Sequence, residues 1–448
     1  MKEIREAITI STSTEDVYSL VKERGIEFIR LQFTDIFGIM KSMTIMSDEL
    51  DKAFAGELMF DGSSIDGFAR IEESDQCVVP DPATFEVMPW RPREEGVARM
   101  ICDIYTPDGK PFAGCPRHAL KRAIKEAEDM GYTLNIGPEG EFFLFYTDEK
   151  GHPTFDIHDT AGYFDLAPVD MGEDARRDII LTLKKMGFKI EASHHEVAPG
   201  QHEIDFKYDE ALVTADNWVT FRDVVKNVAK QYNLYATFMP KPFSGENGNA
   251  MHCNQSLFTE DTNAFYNPDN PEGLSDIARY YIGGLLQHSR GMAAITNPIV
   301  NSYKRLRPGY EAPIHVAWST SNRSTLIRIP ASRGNSTRIE LRNPDPTANP
   351  YLVFALMLRA GLEGINNKIT PPDAINGNLY NMPDLAQEIP MFPRDLQEAI
   401  DEMKEDPLVK ETLGDHIMSR YIDAKQKEWD DYAESVHNWE IRRYLDKF

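Results

Sequence analysis

The sequence predicts an α+β fold in which a small β-rich N-terminal domain precedes a larger domain of helices and strands. Short runs of alternating polarity fill the N-terminal part, and a stretch rich in proline and glycine follows near residue 110. Helical and strand-like segments then alternate to about residue 350. The 448 residues, 41% of them hydrophobic, suit two or three domains of roughly 150 residues with a sizeable core.

The N-terminal strands are predicted from EFIRLQFTD (27–35) and GIMKSMTIM (38–46), which alternate in polarity and are bounded by turn-forming residues. The segment YTPDGKPFAG then marks a boundary. The next element is a helix over PRHALKRAIKEAEDM, which Gly131 ends. We therefore expect one domain over residues 1–109 and a second over residues 110–448.

The second domain alternates helical and strand-like segments. The helical stretches are DARRDIILTLKKMG and DNWVTFRDVVKNVAKQYN. The strand-like stretches are LNIGPEGEFFLFY, GFKIEASHHEVAP, QHEIDFKY, MHCNQSLF, TLIRIP and TRIELR. Such alternation indicates one large domain in which several strands present side chains to a common face. After residue 390 the chain is charged and predicted to be helical.

Composition excludes several classes of protein. With 48 basic and 72 acidic residues the net charge is −24, which argues against a nucleic-acid partner. The four cysteines lie far apart, so we expect free thiols rather than a disulfide framework or a zinc site. The N-terminus lacks a signal peptide, and the longest apolar run is shorter than the ~18 residues of a membrane span. We predict a cytoplasmic protein without membrane contact.

Carboxylates recur on the strand-like segments. In GPEGEFFLF the period of two places Glu139 and Glu141 on the same side of a strand. In HHEVAPGQHE a tight turn at Pro199-Gly200 is predicted to pair Glu196 with Glu203. Opposed side chains lie ~5 Å apart, where like charges destabilise a sheet. A shared proton or a divalent cation relieves such repulsion, and four carboxylates favour the cation.

Two further segments add potential ligands. RIELR places Glu340 on a strand face that also carries two arginines. MHCNQS places His252 on one face with Asn254 and Ser256. A set dominated by oxygen atoms, with a single histidine, suits Mg²⁺ or Mn²⁺ rather than zinc.

A simpler interpretation is available for each of these residues alone. A single glutamate in an acidic protein is more often a solvated strand residue, so the cation hypothesis depends on the joint pattern. His194 and His195 point to opposite strand faces and match no zinc-protease spacing. We therefore interpret both histidines as structural.

The usual motifs of nucleoside triphosphatases, dinucleotide-binding proteins and serine hydrolases are absent. The acidic chain supplies instead a group of arginines, namely Arg305, Arg307, Arg323, Arg328, Arg338 and Arg342. Guanidinium groups bind carboxylate and phosphate oxygens bidentately, and cations with arginines neutralise charge in phosphoryl transfer. Surface salt bridges are the alternative, above all for Arg307.

Seven segments together resemble the type I glutamine synthetases, and the lack of the insertion found in the longer adenylylated enzymes indicates their α-like subgroup. The segments are MFDGSSIDGFARIEESD (59–75), GPEGEFFLF (137–145), HHEVAPGQHE (194–203), KPFSGENGNAMHCNQS (241–256), NSYKRLRPGYEAP (301–313), NRSTLIRIP (322–330) and RIELRNPDPTANPYL (338–352). The resemblance implies a β-grasp-like N-terminal domain and a catalytic domain with a curved antiparallel sheet flanked by helices. It also implies ATP-dependent ligation of ammonium to L-glutamate through a γ-glutamyl phosphate, with two or three Mg²⁺ or Mn²⁺ ions per active site.

The functional positions of the family transfer to this sequence residue by residue. The positions implied for the two cations are Glu141, Glu196 and Glu203 for one and Glu139, His252 and Glu340 for the other. Those implied for glutamate are Arg305, Arg342, Asn247 and Gly248, with Arg323 at the transferring phosphoryl group. Those implied for ATP are Arg328 and Arg338 at the phosphates and Tyr208, Asn254 and Ser256 at the adenosine.

Three further residues resemble functional positions. Asp61, in DGSS, resembles the carboxylate that binds and deprotonates ammonium, which in the family comes from the neighbouring subunit. Glu311, in GYEAP, resembles the flap glutamate that closes over the intermediate and excludes water. Arg70, in GFARIEES, resembles the arginine through which α-like members sense glutamine. An Asp-Gly turn and a plain salt bridge are the alternatives for Asp61 and Arg70.

The resemblance also implies a homo-oligomer, a dodecamer of two hexameric rings with active sites shared between subunits, and a PII-type regulatory protein is a further candidate partner. A γ-glutamyl-polyamine ligase and a catalytically inactive homologue are the alternative functions. Asp61 and Glu311 favour ammonium as the acceptor, and the complete ligand set argues against loss of activity. The sequence departs from the family at Gly140 and at Asn249-Ala250, which are not ligand positions.

Overall fold

The computed structural model describes residues 12–65, 67–68, 74–91, 96–310, 312–377 and 387–448. Arg70 and Glu311, to which the family resemblance gives roles, lie outside these ranges. Within the ranges, no helix combines the length and the apolar character that crossing a bilayer requires.

The N-terminal part is a six-stranded mixed sheet preceded by helix α1 (Thr14–Arg24). Helix α1 begins at a capping box formed by Ser13 and Asp16 and ends at Gly25, which has a positive φ of 60°. The other elements are β1 (Ile26–Thr34), β2 (Met40–Met46), α2 (Leu50–Phe54), β3 (Met59–Asp61), β4 (Asp75–Pro80), β5 (Glu86–Val87) and β6 (Gly96–Tyr105). The strand order is β2-β1-β6-β4-β3, with β5 also on β6.

Apolar residues of this part form a core of their own. Ile29 and Leu31 of β1 belong to one buried cluster with Met100 of β6 and Val17 of α1. The alternating pattern of the sequence produces this core because every second residue of a strand faces the same side. A separate and larger cluster consists mainly of residues from the rest of the chain and also includes Ile36 and Ile101. The N-terminal part therefore has a hydrophobic core distinct from the larger one.

The second part contains an eleven-stranded sheet, in which seven strands follow the order β15-β16-β17-β13-β7-β10-β9. Of the other four, β8, β11 and β12 pair with β7, and β14 pairs with β13. Its strands are β7 (Thr133–Thr147), β8 (Pro153–Ile157), β9 (Ile190–His195), β10 (Gln201–Phe206), β11 (Asp209–Glu210), β12 (Leu234–Thr237), β13 (Cys253–Thr259), β14 (Thr262–Asn263), β15 (His315–Ser319), β16 (Thr325–Arg328) and β17 (Ile339–Leu341). Strands β15 and β16 are parallel, and the other pairs are antiparallel. The long strand β7 lies between β10 and β13, so side chains from several strands meet beside it.

Helices accompany this sheet. They are α3 (Pro116–Asp129), α4 (Glu173–Lys185), α5 (Ala211–Gln231), α6 (Asp276–His288), α7 (Ala293–Thr296), α8 (Ser302–Arg305), α9 (Pro350–Asn367), α10 (Leu396–Glu405), α11 (Pro407–Glu434) and α12 (Asn438–Tyr444). The apolar run of the sequence, Tyr351 to Leu358, is the buried first half of α9. Helix α6 packs so closely on α9 that a Cβ at Gly284 would collide with the carbonyl group of Ala360. The predicted α+β class is confirmed.

Side-chain hydrogen bonds join the two parts of the molecule. Arg222 of α5 donates to the carbonyl oxygens of Gly38 (2.6 Å) and Pro346 (3.1 Å). Asn349, at the start of α9, donates to the carbonyl oxygens of Asp35 (3.1 Å) and Ile36 (3.2 Å). The loop after β1 is thereby held against the larger domain.

Candidate active site

The central strand β7 brings two acidic side chains to a cavity of about 520 Å³. Glu139 and Glu141 are two residues apart and both line it. The neighbouring strand β10 pairs Glu203 with Glu141 and Asp205 with Glu139. Four carboxylates therefore stand in two directly opposed pairs, an arrangement that destabilises a sheet unless a positive charge lies between them.

The hairpin that carries Glu196 and Glu203 differs from the predicted one. The expected pairing of these two glutamates was wrong, because the structure pairs Glu203 with His194. Glu196 lies in the loop after β9. This loop is wider than a two-residue turn because the buried carboxylate of Asp159 accepts a hydrogen bond from the Gly200 N–H (2.8 Å). The shift of register by two residues leaves Glu203 on its predicted face.

A first group of potential metal ligands comes from two strands, β7 and β17, and from the residue before β13. Donor atoms of Glu139, His252 and Glu340 all lie within 4.8 Å of one another. The Nδ1 atom of His252 is 2.7 Å from Glu139 Oε2 and 3.8 Å from Glu340 Oε1. Asn254 donates to the other carboxylate oxygen of Glu139 (3.0 Å). The strand face predicted to carry His252 and Asn254 therefore lies beside the strand face predicted to carry Glu340.

A second group of potential ligands lies on the other side of the cavity. Donor atoms of His194, Glu196 and Glu203 also lie within 4.8 Å of one another. The Nε2 atom of His194 is 3.1 Å from Glu196 Oε1 and 3.7 Å from Glu203 Oε2. His194 therefore belongs to the cavity wall, which differs from the purely structural role that we expected. Glu141 completes the carboxylates on this side of the cavity.

Burial and like charges shift the pKa values of these carboxyl groups. Burial raises the pKa of Glu141 and of Glu203 well above the usual range, and neighbouring carboxylates raise both further. Burial likewise raises the pKa of Asp205 to about 6. Burial also opposes ionisation of Glu139, but the hydrogen bond with His252, the charges of His252 and Arg342 and the hydrogen bond from Asn254 together outweigh it and lower the pKa of Glu139 to about 2. This oxygen-rich donor set with one imidazole fits Mg²⁺ or Mn²⁺.

Arginines form the remaining charged wall of the cavity, namely Arg305, Arg323, Arg328 and Arg342. The buried guanidinium group of Arg305 donates to the carbonyl oxygens of Asn343 (2.8 Å) and Arg342 (2.9 Å), which fixes it in place. Arg328 donates to Glu340 Oε2 (2.7 Å), and Arg342 donates to Glu340 Oε1. Glu340 therefore links the first ligand group to the arginines.

A second cavity of about 750 Å³ adjoins the first, and Glu139 and Asp205 line both. Its lining includes the residues implied at the adenosine and one of the two arginines implied at the phosphates, namely Tyr208, Asn254, Ser256 and Arg338. Arg338 donates to Asn254 Oδ1 (3.0 Å), so hydrogen bonds run from this cavity to Glu139. A nucleotide in the second cavity would extend its phosphates towards the carboxylates and arginines of the first.

Asp61 lies outside both cavities and is exposed. Its carboxylate accepts hydrogen bonds from the hydroxyl (2.6 Å) and N–H (2.9 Å) of Ser63 and from the hydroxyl of Ser64 (3.0 Å). These bonds, led by the Ser63 hydroxyl, lower the pKa of Asp61 and keep it ionised. The roles of Arg70 and Glu311 stay predictions, since both residues fall outside the described part of the chain.

Some residues of the first cavity are not among those predicted from the sequence, for example Tyr163, Gln201, Asp205 and Tyr310. Gln201 and Asp205 flank Glu203 at intervals of two residues on β10, so the period of the strand would have identified them. Tyr163 gives no such signal. It lies in an irregular segment, where its ring stacks on Phe164 with centroids 4.2 Å apart.

The two departures from the family sequence have local explanations. A Cβ at Gly140 would lie only 2.8 Å from the ring of Phe221 in α5, so close packing requires glycine there. The N–H of Ala250 donates to Glu141 Oε2 (2.7 Å), a bond that any residue except proline can make. Asn249 is fully buried. The ligand positions are therefore unaffected by either departure.

A third group of potential ligands lies beneath β9 and β10 and consists of Asp159, Asp170, His195 and His202. Arg176 donates to His202 Nδ1 (2.8 Å) and to Asp170 Oδ2 (2.7 Å). Since a guanidinium group already binds two of the four ligands, the group does not fit a metal cation. His195 Nε2 is 3.0 Å from Asp159 Oδ1, which agrees with a structural role for this histidine.

Comparison with known protein families gives two matches along the chain. The model of the glutamine synthetase β-grasp domain matches residues 25–107, and that of the glutamine synthetase catalytic domain matches residues 113–444. Among curated proteins, the glutamine synthetase of Methanosarcina mazei is 59% identical over 97% of this chain and 98% of its own length. That of Thermus thermophilus is 53% identical over 96% and 98%.

Solved structures agree with these matches. A ligand-free structure of a protein named GmaS superposes with a TM-score of 0.88 at 33% identity, covering 96% of this chain and 99% of that one. A cryo-EM structure of Plasmodium falciparum glutamine synthetase gives a TM-score of 0.86 at 26% identity, covering 96% and 98%. With both domains matched and relatives above 50% identity over nearly the whole length, the chain belongs to the glutamine synthetase family and has the activity of a glutamate–ammonia ligase.

Proposed function

We propose that this enzyme makes L-glutamine with the help of two divalent cations, Mg²⁺ or Mn²⁺, in the first cavity. One cation is held by Glu141, Glu196 and Glu203, and the other by Glu139, His252 and Glu340. The observation that carries the proposal is the gathering of all six side chains around one cavity of about 520 Å³. Carboxylates so close together and so deeply buried require a counter-charge. A third cation at the nucleotide phosphates belongs to the same proposal.

We assign the substrates to the arginines and to the second cavity. Glutamate binds to Arg305 and Arg342 and to the backbone at Asn247 and Gly248, all of which line the first cavity. ATP lies in the second cavity, with its phosphates directed to Arg328 and Arg338 and its adenosine to Tyr208, Asn254 and Ser256. Support comes from the shared wall of the two cavities, which lets the terminal phosphate approach the glutamate carboxylate.

In the proposed reaction, the γ-carboxylate of glutamate attacks the terminal phosphorus of ATP and ADP leaves. Arg323 neutralises charge on the transferred group, and bound cations, when present, do the same at the phosphoryl oxygens. The Asp61 carboxylate then takes a proton from ammonium, and ammonia attacks the acyl carbon. The bond to phosphate breaks, and the phosphate leaves with the second proton that the nitrogen loses as the amide forms. Glu311 closes the site, because water would otherwise hydrolyse the acyl phosphate.

We propose that the active sites lie between subunits of a dodecamer built from two hexameric rings. Asp61 lies outside the cavity of its own chain, so a neighbouring copy has to supply it. Several large apolar side chains are exposed in the single chain and would be available for contacts between subunits. Examples are Phe155 (86% exposed), Leu166 (75%), Leu445 (73%) and Phe448 (102%). We also keep the domain boundary at residues 109/110, a cytoplasmic location and a PII-type partner as proposals.

Two inactive variants are expected to restore each other's activity when they assemble together. Asp61→Asn lacks the proton acceptor, and Glu340→Ala lacks a ligand of the cation. If each site takes Asp61 from one subunit and Glu340 from its neighbour, a site is intact only when the first subunit is Glu340→Ala and the second is Asp61→Asn. In an equal mixture this holds for one interface in four. Glutamine formation in co-expressed mixed rings should therefore reach about a quarter of the wild-type rate.

The test compares two samples. In the first, the two variants carry different tags and assemble together, so that rings with both tags can be isolated. In the second, the rings of each variant are assembled separately. Rings assembled from either variant alone should stay inactive after simple mixing, because every site in them lacks either Asp61 or Glu340. Mixed rings that carry both tags and still make no glutamine would contradict a shared active site.

We further propose that the chain belongs to the α-like subgroup and that Arg70 takes part in inhibition by glutamine. The motif GFARIEES supports this assignment. Replacing Arg70 with alanine removes a charged donor, so the glutamine concentration for half inhibition should rise about tenfold. Arg177→Ala, on the exposed face of α4, is the matched control. Unchanged inhibition of Arg70→Ala would contradict this role.

A further inference from the structure

Asn263 is hydrogen-bonded to a loop that forms one wall of the second cavity. The loop, residues 335–337, precedes β17, and all three of its residues line that cavity. Asn263 belongs to β14 and is only 2% exposed. Its Nδ2 atom donates to the carbonyl oxygens of Asn335 (3.0 Å) and Thr337 (2.8 Å). Both hydrogen atoms of one buried amide group therefore bind the main chain of this loop.

The Asn263 side chain is also fixed from its other end. Its Oδ1 atom accepts a hydrogen bond from the Phe265 N–H (2.8 Å), so a single orientation of the amide satisfies all three contacts. The backbone of Asn263 pairs with that of Phe258 in β13. The same strand carries Asn254 and Ser256, which line the second cavity. Asn263 thus joins the loop to another wall of the cavity.

Arg338 follows the loop directly and depends on its position. The Nη1 atom of Arg338 donates to the carbonyl oxygen of Ser336 (3.4 Å), and its Nε atom donates to Asn254 Oδ1 (3.0 Å). The guanidinium group is therefore held between the loop and β13. Since we assign this arginine to the phosphates of ATP, a displaced loop would also displace a phosphate-binding group.

Two of the three residues of the loop are exposed. Burial of the Asn335 and Ser336 side chains therefore does not hold the loop against the sheet. The Thr337 N–H donates to the carbonyl oxygen of Gly334 (3.1 Å), and Gly334 has a positive φ of 72°. This bond shapes the turn but does not connect it to the sheet. Without Asn263, two carbonyl groups would lose a hydrogen-bond donor, which is costly wherever water does not replace it.

We propose that Asn263 is a positioning residue for ATP, because it holds the loop of residues 335–337, and through the loop Arg338, where the nucleotide binds. This inference rests on the proposed function, which assigns ATP to the second cavity. Among the described residues that line the first cavity, neither Asn263 nor any residue of the loop occurs. The contact should therefore affect the binding of the nucleotide and not that of glutamate.

The test measures the dependence on ATP and on glutamate separately in the assembled enzyme. Asn263→Asp keeps the shape of the side chain but turns an oxygen atom towards two carbonyl oxygens, so the loop should be repelled. The KM for ATP and the Kd for ADP with Mg²⁺ should rise about tenfold, whereas the KM for glutamate at saturating ATP should stay within about twofold. Asn263→Ala removes the donor group without repulsion and should raise the KM for ATP about fivefold.

Asn367→Asp is the matched control. It makes the same exchange at the exposed end of α9 and should change each constant less than about twofold. If Asn263→Asp does not assemble, Asn263→Ala, which adds no charge, gives the same comparison between ATP and glutamate.

The outcomes separate this inference from the proposed function. If Arg338→Ala leaves both the KM for ATP and the Kd for ADP unchanged, the proposed site of the nucleotide fails. If Arg338→Ala raises both constants but neither Asn263 variant does, the positioning role of Asn263 is overturned. A parallel rise of the KM for ATP and the KM for glutamate in the Asn263 variants would also overturn it, because that result indicates a general effect on the fold.

Discussion

Replacing Glu340 with alanine is expected to lower Mg²⁺-dependent γ-glutamyl transfer by about 10³-fold or more, since removing even an outer partner of a metal ligand costs about 10–100-fold. Glu340 is 1% exposed and accepts hydrogen bonds from Arg328 and Arg342. It also lies 3.8 Å from His252 Nδ1. Its removal takes a ligand from the proposed cation and leaves two guanidinium groups beside a cavity that has lost an anion.

Two further variants make this result specific. Glu340→Gln keeps the shape of the side chain and one acceptor oxygen, so it should fold like the wild type and still lose most of the activity. Glu272→Ala removes an exposed glutamate, 2.6 Å from Arg279, and should change the transfer rate less than about twofold. The measurement is hydroxamate formation over a range of Mg²⁺ concentrations. Activity of Glu340→Ala close to that of the wild type would exclude Glu340 as a ligand.

The sequence predicted those parts of the site that depend on regular strands. The period of two was sufficient to put Glu139 beside Glu141, and His252 beside Asn254, because side chains alternate along any extended strand. The same rule would have found Asp205. Within one strand, the face of a residue is a local property, and local properties can be inferred from the order of residues.

Other parts of the site depend on contacts between distant segments. The pairing of Glu196 with Glu203 was predicted from a two-residue turn, but Asp159, far away in sequence, holds Gly200 and widens the loop. Tyr163 lies in an irregular segment, where no period identifies its face. The partners of a loop are set by the packed structure, so the sequence pattern alone does not reveal them.

A buried arginine shows how strongly such distant contacts hold the two domains together. Arg117, near the start of α3, is 3% exposed. It donates to both carboxylate oxygens of Asp216 (3.0 and 2.8 Å), to Asp103 (3.1 Å) and to Asp81 (2.8 Å). Asp81 and Asp103 belong to the N-terminal part, whereas Asp216 lies on α5. One guanidinium group therefore neutralises carboxylates from both parts of the molecule.

Replacing Arg117 with methionine is expected to lower the free energy of unfolding by about 3–5 kcal/mol, because it leaves buried carboxylates without their counter-charge. Urea unfolding of the assembled enzyme at pH 7 measures this change. Arg177→Met, which removes an exposed arginine 3.0 Å from Asp174, should stay within about 0.5 kcal/mol of the wild type. If the free energy of unfolding of Arg117→Met fell by as little as that of Arg177→Met, the prediction would be contradicted.

The effect of Arg117→Met should also depend on pH in a defined direction. Burial raises the pKa of Asp103, but Arg117 and Lys121 outweigh it, so the pKa lies below its usual value. A carboxyl group with a lowered folded-state pKa stabilises the protein above its unfolded pKa of about 3.9, and this contribution is lost as the pH falls through the folded value. Without Arg117, Lys121 counters the effect of burial less effectively, so the pKa of Asp103 should rise.

The difference in stability between wild type and Arg117→Met should therefore be largest near pH 7 and shrink as the pH falls below about 4, where the carboxyl groups become protonated in both proteins. Adding Asp216→Asn to Arg117→Met removes one of the uncompensated charges and still accepts the hydrogen bond from Tyr351 (2.7 Å). The double variant should recover at least about 1 kcal/mol at pH 7. A loss of stability that is independent of pH, without recovery in the double variant, would assign the effect of Arg117 to packing rather than to charge.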